Sequence, residues 1–435
     1  MNMFYKQRTY LDPIHGPIQL NLSDDLESLL IELIDTKEFQ RLRRIRQMGT
    51  GWLTFHGAEH TRFGHSLGSL FIASKMINHL SMNHLKVAEY APQILVSALL
   101  HDIGHGPLSH TAEKLVPVSH EEWTKRIIRE TQISNILGKI DPKLTENVIK
   151  TIEYDSIPLY VSQIVSSYID CDRLDYLHRD SYYVGVPYGL TGSNRIIASL
   201  DIDENSNKLV VNETTGLDAV IHYLHARHSM YQQIYQHKKN LASDFMLKKI
   251  VERMREANSN FIPHPLFEWI NCTKDNFSKL SLNSYIQVDD FMFLSCVLSC
   301  ANNNCERLLN DLCGRFTSRN LFKAMEFRSE VNESKINEII NSLKQVALIK
   351  GLEADYYLGI EKSLAKPYEP YEISASKTGK SVYIKQKSGA VKELSQISGL
   401  VQALSQENIV KTCLIFAPEL EDAVKEIKGF KELFK

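Results

Sequence analysis

A chain of 435 residues, 43% hydrophobic and 23% charged, is neither a fibrous nor a disordered polymer, and its length predicts a large domain with a smaller companion. A formal net charge of -2 and a pI near 6.8 exclude a global field drawing it to nucleic acid or anionic membrane, so any polyanion site must be local. The opening MNMFYKQRTYLDPIHG lacks the apolar core of a secretory signal, and no run approaches the roughly 18 apolar residues of a bilayer span; a cytoplasmic, reducing setting without a membrane partner is expected.

In chain order, apolar residues at Leu26, Leu29, Leu30, Leu33 and Ile34, then Phe39, Leu42 and Ile45, predict two successive helices broken near Asp35 and Thr36. Further helices are predicted over 63–80, 92–103 and 157–183, the second nearly all apolar at ILVSALL and therefore central. The turn cluster in DIDENSNKLV predicts a short hairpin within 200–211, followed by a helix over 217–236. Beyond about residue 261, YYLGI, KSVYIKQKSG and VKTCLIFAP look like short strands among helices. The expected fold is mainly α: a helical domain over residues 1–260 and a smaller α+β lobe over 261–435, serving an interface or regulation. Of the seven cysteines, Cys296, Cys300, Cys305 and Cys313 have spacings unlike paired zinc clips, and Cys296 and Cys300 in FMFLSCVLSC read as core thiols.

Nine of the sixteen histidines lie between His56 and His120, a density that points to metal or acid–base chemistry. In LLHDIGHGPLSH an apolar helix ends in the adjacent pair His101 and Asp102, followed by His105 and His110, while HTRFGHSLG adds His65 upstream. A fourth ligand should be an acid, and YIDCDRLDYLHRDSYY offers Asp170, Asp172, Asp175 and Asp180 as equivalent candidates by spacing. Mixed imidazole and carboxylate ligation suits Mn, Fe or Zn, and tolerates Mg. His79, His84, His222 and His237 each read individually as ordinary core or surface histidines, and SYYVGVPYG as packing rather than a base-stacking platform.

Together DPIHGPI, IDTKEFQRLRRIRQMG, HTRFGHSLG, HDIGHGPLSH, DCDRLDYLHRD and HARHSMYQQIYQHK resemble the HD-domain metal-dependent phosphohydrolases. Within them the chain is similar to the dNTP triphosphohydrolase branch, which includes bacterial dGTPases and a human enzyme joining a SAM domain to an HD domain. The resemblance covers roughly residues 11–239; with eleven residues ahead of Asp12, no SAM-like module is expected before it. It implies His65, His101, Asp102 and Asp172 as metal ligands and hydrolysis of dNTPs to deoxynucleoside and triphosphate. It implies His110 as proton donor to the leaving 5′ oxygen, oriented by Glu113 where the family usually has Asp, with His105 and His120 contacting phosphate. Arg62, Arg173 and Arg227 would hold the triphosphate; Tyr176, Tyr235, Gln236, Asp180 and Gln47 would surround the sugar, rejecting ribose by close packing at its 2′ carbon.

The run RLRRIRQ over 41–47 reads as a solvated helix face or, by resemblance, as part of a regulatory nucleotide site between subunits. There Asp35, Gln40 and Arg43 would read a guanine, with His237, Lys238 and Arg319 nearby. Asp201, Glu213 and Thr215 stand where that site would carry basic residues, which argues against dGTP activation in its known form. A homo-oligomer, dimer or tetramer, is implied, with a nucleotide effector as a further partner. The rival readings are a phosphohydrolase of nucleoside monophosphates or cyclic nucleotides, for which three arginines exceed the need, and a nucleotide- or nucleic-acid-sensing binding protein with little turnover.

Overall fold

The computed structural model describes residues 7–256, 261–302, 306–369 and 380–435. The chain opens with an antiparallel hairpin of β1 (Gln7–Asp12) and β2 (Gly16–Asn21), in which β2 buries Ile18 and Leu20 while β1 leaves Leu11 exposed, so only one of the two strands alternates cleanly. The helix Asp25–Asp35 follows, with Leu29, Leu30, Ile31, Leu33 and Ile34 buried. It stops at Thr36, whose hydroxyl donates to Leu33 O and accepts from Phe39 N, capping the next turn. The expected second helix is shorter than its periodicity suggested: one turn, Lys37–Gln40, then 3-10 structure over Arg41–Arg44. Arg41 explains the change, since its buried guanidinium turns inward to Val288 O at 3.0 and 2.8 Å rather than continuing a solvated face.

The helix Arg62–Ser81 packs against both the Ala91–Leu100 helix and the Cys171–Val184 helix. Ala91–Leu100 has Pro92 in its first turn and is buried from Ile94 to Leu100, as a central helix should be. It ends before His101, so His101 and Asp102 lie on a turn rather than on helix. The helix expected over 157–183 is two helices, Leu159–Val165 and Cys171–Val184. Asp170 makes the break: its carboxylate accepts from Ser167 N and Arg173 N, both at 2.6 Å, and from the Arg173 guanidinium, a local alternative to helical continuation. The hairpin within 200–211 forms as β3 (Leu200–Asp203) and β4 (Lys208–Asn212), and the helix after it starts earlier than expected, at Glu213, and closes in a π turn, Tyr231–Tyr235.

A three-stranded antiparallel sheet, in order β5 (Lys323–Glu326), β9 (Ile409–Phe416), β6 (Leu358–Ala365), carries its own small core with the Glu333–Ile349 helix. The remaining strands, β7 (Tyr383–Lys385) and β8 (Val391–Glu393), extend the β3–β4 hairpin, β7 pairing parallel to β4. Residues on both sides of position 260 therefore share the larger core. Mainly helical architecture with small sheets agrees with expectation. Cys296 and Cys300 are buried; Cys305 lies outside the described residues. Among the described residues no helix is long and apolar enough to cross a membrane.

Asp170→Ala removes two backbone caps and strands Arg173, and should lower the unfolding free energy by about 2–4 kcal/mol. Denaturant unfolding checks it, a change within about 0.5 kcal/mol contradicting the role given to this cap.

Candidate active site

Packing of the Arg62–Ser81 helix against its two neighbours brings His65, the His101–Asp102 turn and Asp172 to one point. His65 is fully buried; its Nε2 lies 3.1 Å from Asp172 Oδ1 and 3.3 Å from Asp102 Oδ2. His101 Nε2 lies 3.5 Å from Asp102 Oδ1 and 3.6 Å from Asp172 Oδ1. Both Nε2 atoms are buried and neither forms a hydrogen bond. Imidazole nitrogens sealed among carboxylates are costly unless a positive charge, a proton or a metal ion, fills the gap. The other ring nitrogens are engaged, His101 Nδ1 with Ala98 O at 2.9 Å and His65 Nδ1 with Asp175 Oδ2 at 2.8 Å, which leaves each Nε2 as a ligand atom. Ligand atoms of His65, His101 and Asp102 lie within 4.8 Å of one another, a set suited to one divalent ion.

The four acids that spacing left equivalent occupy four different environments. Asp170 caps its helix, and Asp172, two residues on, faces the two imidazoles. Asp175, one turn further, turns its carboxylate behind His65 and also accepts from His15 Nε2 at 2.6 Å and from Arg179 at 2.8 and 2.9 Å. Asp180 accepts from His60 Nε2 and the Tyr235 hydroxyl, each at 2.7 Å. Arg179 also donates to Asp12 at 2.8 Å, so the β1–β2 turn is bound into the site. Gly68 makes room, since a Cβ there would stand 1.9 Å from Asp175 Oδ1. His15, Asp12 and Arg179 went unnoticed in the sequence; the signal was the DPIHG string itself. Burial alone would raise the Asp175 carboxyl, but Arg179, His15 and His65 hold it well below the carboxylate range. Burial alone would strip His65 of its proton, but Asp102, Asp172 and Asp175 lift it well above the usual imidazole range.

The turn after the His101–Asp102 pair is strained, with Leu108 and Ser109 at φ 59° and 54°. Asp290 holds it by accepting from Leu108 N at 2.7 Å, and Arg62, which also pairs with Asp102, donates to Ser109 Oγ at 2.9 Å. This clamp aims His110, the first residue of the His110–Leu115 helix. Glu113 lies 3.3 Å from His110 Nδ1 and 2.5 Å from His120 Nδ1, while His105 stacks on His120 at 3.9 Å. Burial, together with Arg62 and His120, depresses His105 well below the usual imidazole range, keeping it neutral.

These groups open onto a cavity of about 450 Å³. Of the expected site residues, Gln47, Arg62, His101, Asp102, His105, His110, His120, Asp172, Arg173, Tyr176, Asp180 and Tyr235 line it. Glu113 stands behind its two histidines. Arg227 and Gln236 do not line it: Arg227 donates to the Lys366 and Pro367 carbonyls, and Gln236 to Ile409 O. Lys114, Asn240 and Asp244 line it unexpectedly, Asp244 accepting from Thr50 and Thr111 at 2.8 Å and from Lys114. The six expected regulatory residues fall into two groups. Asp35 accepts from Arg8, Gln40 accepts from Arg43 Nε at 2.8 Å, and Arg43 lies over Phe63. His237 meets Phe55 edge-on, Lys238 opens the Lys238–Glu256 helix, and Arg319 donates to Leu53 O. Asp201 is taken up by His84 and Lys385, and Glu213 by Lys387 N.

A metal ion must displace the proton that the acids hold on His65, so metal affinity should fall as pH drops towards and below that raised pKa. Titration with Mn²⁺ in buffers of different ionisation enthalpy should register proton release, and pH-independent binding without release would contradict it. Asp175→Ala should weaken Mn²⁺ binding by roughly 10–100-fold although Asp175 touches no ion.

Residues 62–180 match the HD domain family. The uncharacterized protein YwfO of Bacillus subtilis is 33% identical over 404 residues, spanning 92% of this chain and 90% of that one. The human deoxynucleoside triphosphate triphosphohydrolase SAMHD1 is 29% identical over 274 residues, 54% of this chain and 43% of its own length. A phosphohydrolase structure from Bacteroides thetaiotaomicron superposes with a TM-score of 0.81 at 29% identity, over 94% of this chain and all of its own. Matched by sequence and superposed by fold around this cluster of histidines and acids, the chain belongs to the HD-domain phosphohydrolase family.

Proposed function

We propose that the chain hydrolyses deoxynucleoside triphosphates to deoxynucleoside and inorganic triphosphate, with His65, His101, Asp102 and Asp172 holding a divalent ion, Mg, Mn, Fe or Zn. The observation that carries this reading is one cavity lined by His101, Asp102 and Asp172, with His65 buried against both acids, by the cations Arg62 and Arg173, and by Tyr176, Tyr235, Asp180 and Gln47. When bound, the ion polarises a phosphoryl oxygen and acidifies the attacking water. Arg62 and Arg173 bind the phosphate chain, and neutral His105, with His120, donates hydrogen bonds to its oxygens. His110, its side chain 65% exposed towards the cavity and held by Glu113, delivers a proton to the leaving 5′ oxygen. Asp180, fixed by His60 and Tyr235, accepts from a sugar hydroxyl, and close packing of the tyrosine faces at the 2′ carbon would reject ribose. Arg227 and Gln236 brace this wall from behind. Residues 1–260 supply this chemistry as the HD domain, residues 261–435 serve an interface or regulation, and the chain works as a cytoplasmic dimer or tetramer. A nucleotide effector would lie between the two groups of regulatory residues on neighbouring copies, at a site differing from the known dGTP site because Asp201 and Glu213 are acidic.

Incubation of each dNTP with the protein and Mn²⁺ or Mg²⁺ should release triphosphate and deoxynucleoside; pyrophosphate release, or no turnover with any metal, would contradict the reading. His110→Gln should lower kcat by roughly 10²–10⁴-fold with little change in metal binding.

A further inference from the structure

Positive charge collects beside the part of the cavity wall formed by Ser166 and Arg173. Arg173 pairs with Asp170, but Arg227 and Lys380 have no carboxylate within ion-pair distance among the described residues. Arg227, 6% exposed, is met by the carbonyls of Lys366 and Pro367 and by the Tyr231 hydroxyl. Lys380 Nζ donates to Ser166 Oγ, and Ser166 and Arg173 both line the cavity. Arg173 Nε and Arg227 Nε are buried without a hydrogen-bond partner. Both guanidinium groups face Tyr168, at 5.6 and 5.5 Å from its ring centre. Burial, then the neighbouring Arg173, depress the Lys380 ammonium, and the opposing pull of Asp170, Glu121 and Asp172 does not offset them.

The backbone bearing Lys380 is anchored. The fully buried Tyr368 accepts from Val382 N at 2.9 Å and donates to Glu393, and Glu369 N donates to the Tyr168 hydroxyl at 2.8 Å. Of these three adjoining cations, Arg227 buried and Arg173 and Lys380 partly buried, only Arg173 has an ion-pair partner among the described residues, so an added anion would offset their mutual repulsion. The HD match ends at residue 180, so Lys380 is brought in from elsewhere in the chain.

We propose that Lys380 is a further substrate-binding residue, forming with Arg173 a site for the terminal phosphates of a bound polyphosphate, with Arg227 behind it. The identity of the substrate rests on the dNTP reading above; the polyphosphate pocket is testable without it. The ammonium gives one charge-assisted hydrogen bond to a phosphate oxygen, and the orphaned Nε–H of Arg173, which lines the cavity, supplies another.

The test is calorimetric titration of the full chain, in excess Mg²⁺, with inorganic tripolyphosphate and separately with orthophosphate. Lys380→Met should weaken tripolyphosphate binding by roughly 10–100-fold and raise KM for a dNTP more than it lowers kcat. Orthophosphate and Mn²⁺ binding should stay within about twofold of wild type, and Lys380→Arg should retain tripolyphosphate binding to within a few-fold. Thermal melting controls for folding; should Lys380→Met melt near the assay temperature, Lys380→Gln takes its place. Unchanged tripolyphosphate binding in the folded Met or Gln variant overturns the proposal, as does a wild-type chain that fails to bind tripolyphosphate at millimolar concentration. A wild-type chain that binds it through Lys380 but turns over no dNTP overturns the proposed function and leaves this pocket standing.

Discussion

Asp175 carries a carboxylate sealed from solvent, and a buried charge of this kind survives only when every side of it is paired. His15 reaches it from the turn of the amino-terminal hairpin, His65 from the helix packed opposite, and Arg179 from the next turn of its own helix. Because Arg179 continues to Asp12, satisfying one acid ties the hairpin and two helices into a single unit. The consequence is chemical as well as structural. With Nδ1 committed to Asp175, His65 can turn only Nε2 toward Asp102 and Asp172, and the space between them becomes a place for a cation.

A second constraint lies in how charge is divided within the cavity. The formal net charge of -2 conceals a segregation in which Asp102 and Asp172 gather under the imidazoles while Arg173, Lys380 and the buried Arg227 gather to one side. Arg62 joins the two halves, pairing with Asp102 while bonding Ser109 of the strained turn that aims His110. Such an arrangement favours a ligand that is itself a metal-bound polyanion. Strain at Leu108 and Ser109 persists because Asp290, from the other half of the chain, holds the Leu108 amide.

Much of this was legible in the sequence. Helical periodicity located the Arg62–Ser81 and Ala91–Leu100 helices closely, since their buried faces are regular and their ends lie near polar residues. It failed over 157–183, where the break at Ser166–Asp170 is only five residues long and is fixed by the side-chain bonds of Asp170, the cap of the second helix. The histidine cluster announced a metal site, yet spacing left Asp170, Asp172, Asp175 and Asp180 open, because four acids along one helix are separated by what packs against each face. Family resemblance favoured Asp172, and the geometry turns that acid toward His65 and His101. Asp12, His15 and Arg179 escaped notice because their partner lies some 160 residues away or is itself buried. Lys380 left no trace in the pattern, since only tertiary packing brings its ammonium to Ser166.

The most direct test is to locate Mn²⁺ in the crystalline protein by anomalous scattering. The expected result is one strong peak between His65 Nε2, His101 Nε2 and the carboxylates of Asp102 and Asp172. His105, His110 and His120 also bring ring nitrogens within 4.8 Å of one another and provide the competing location. A principal peak among those three histidines, with His65 and His101 bare, would contradict the account.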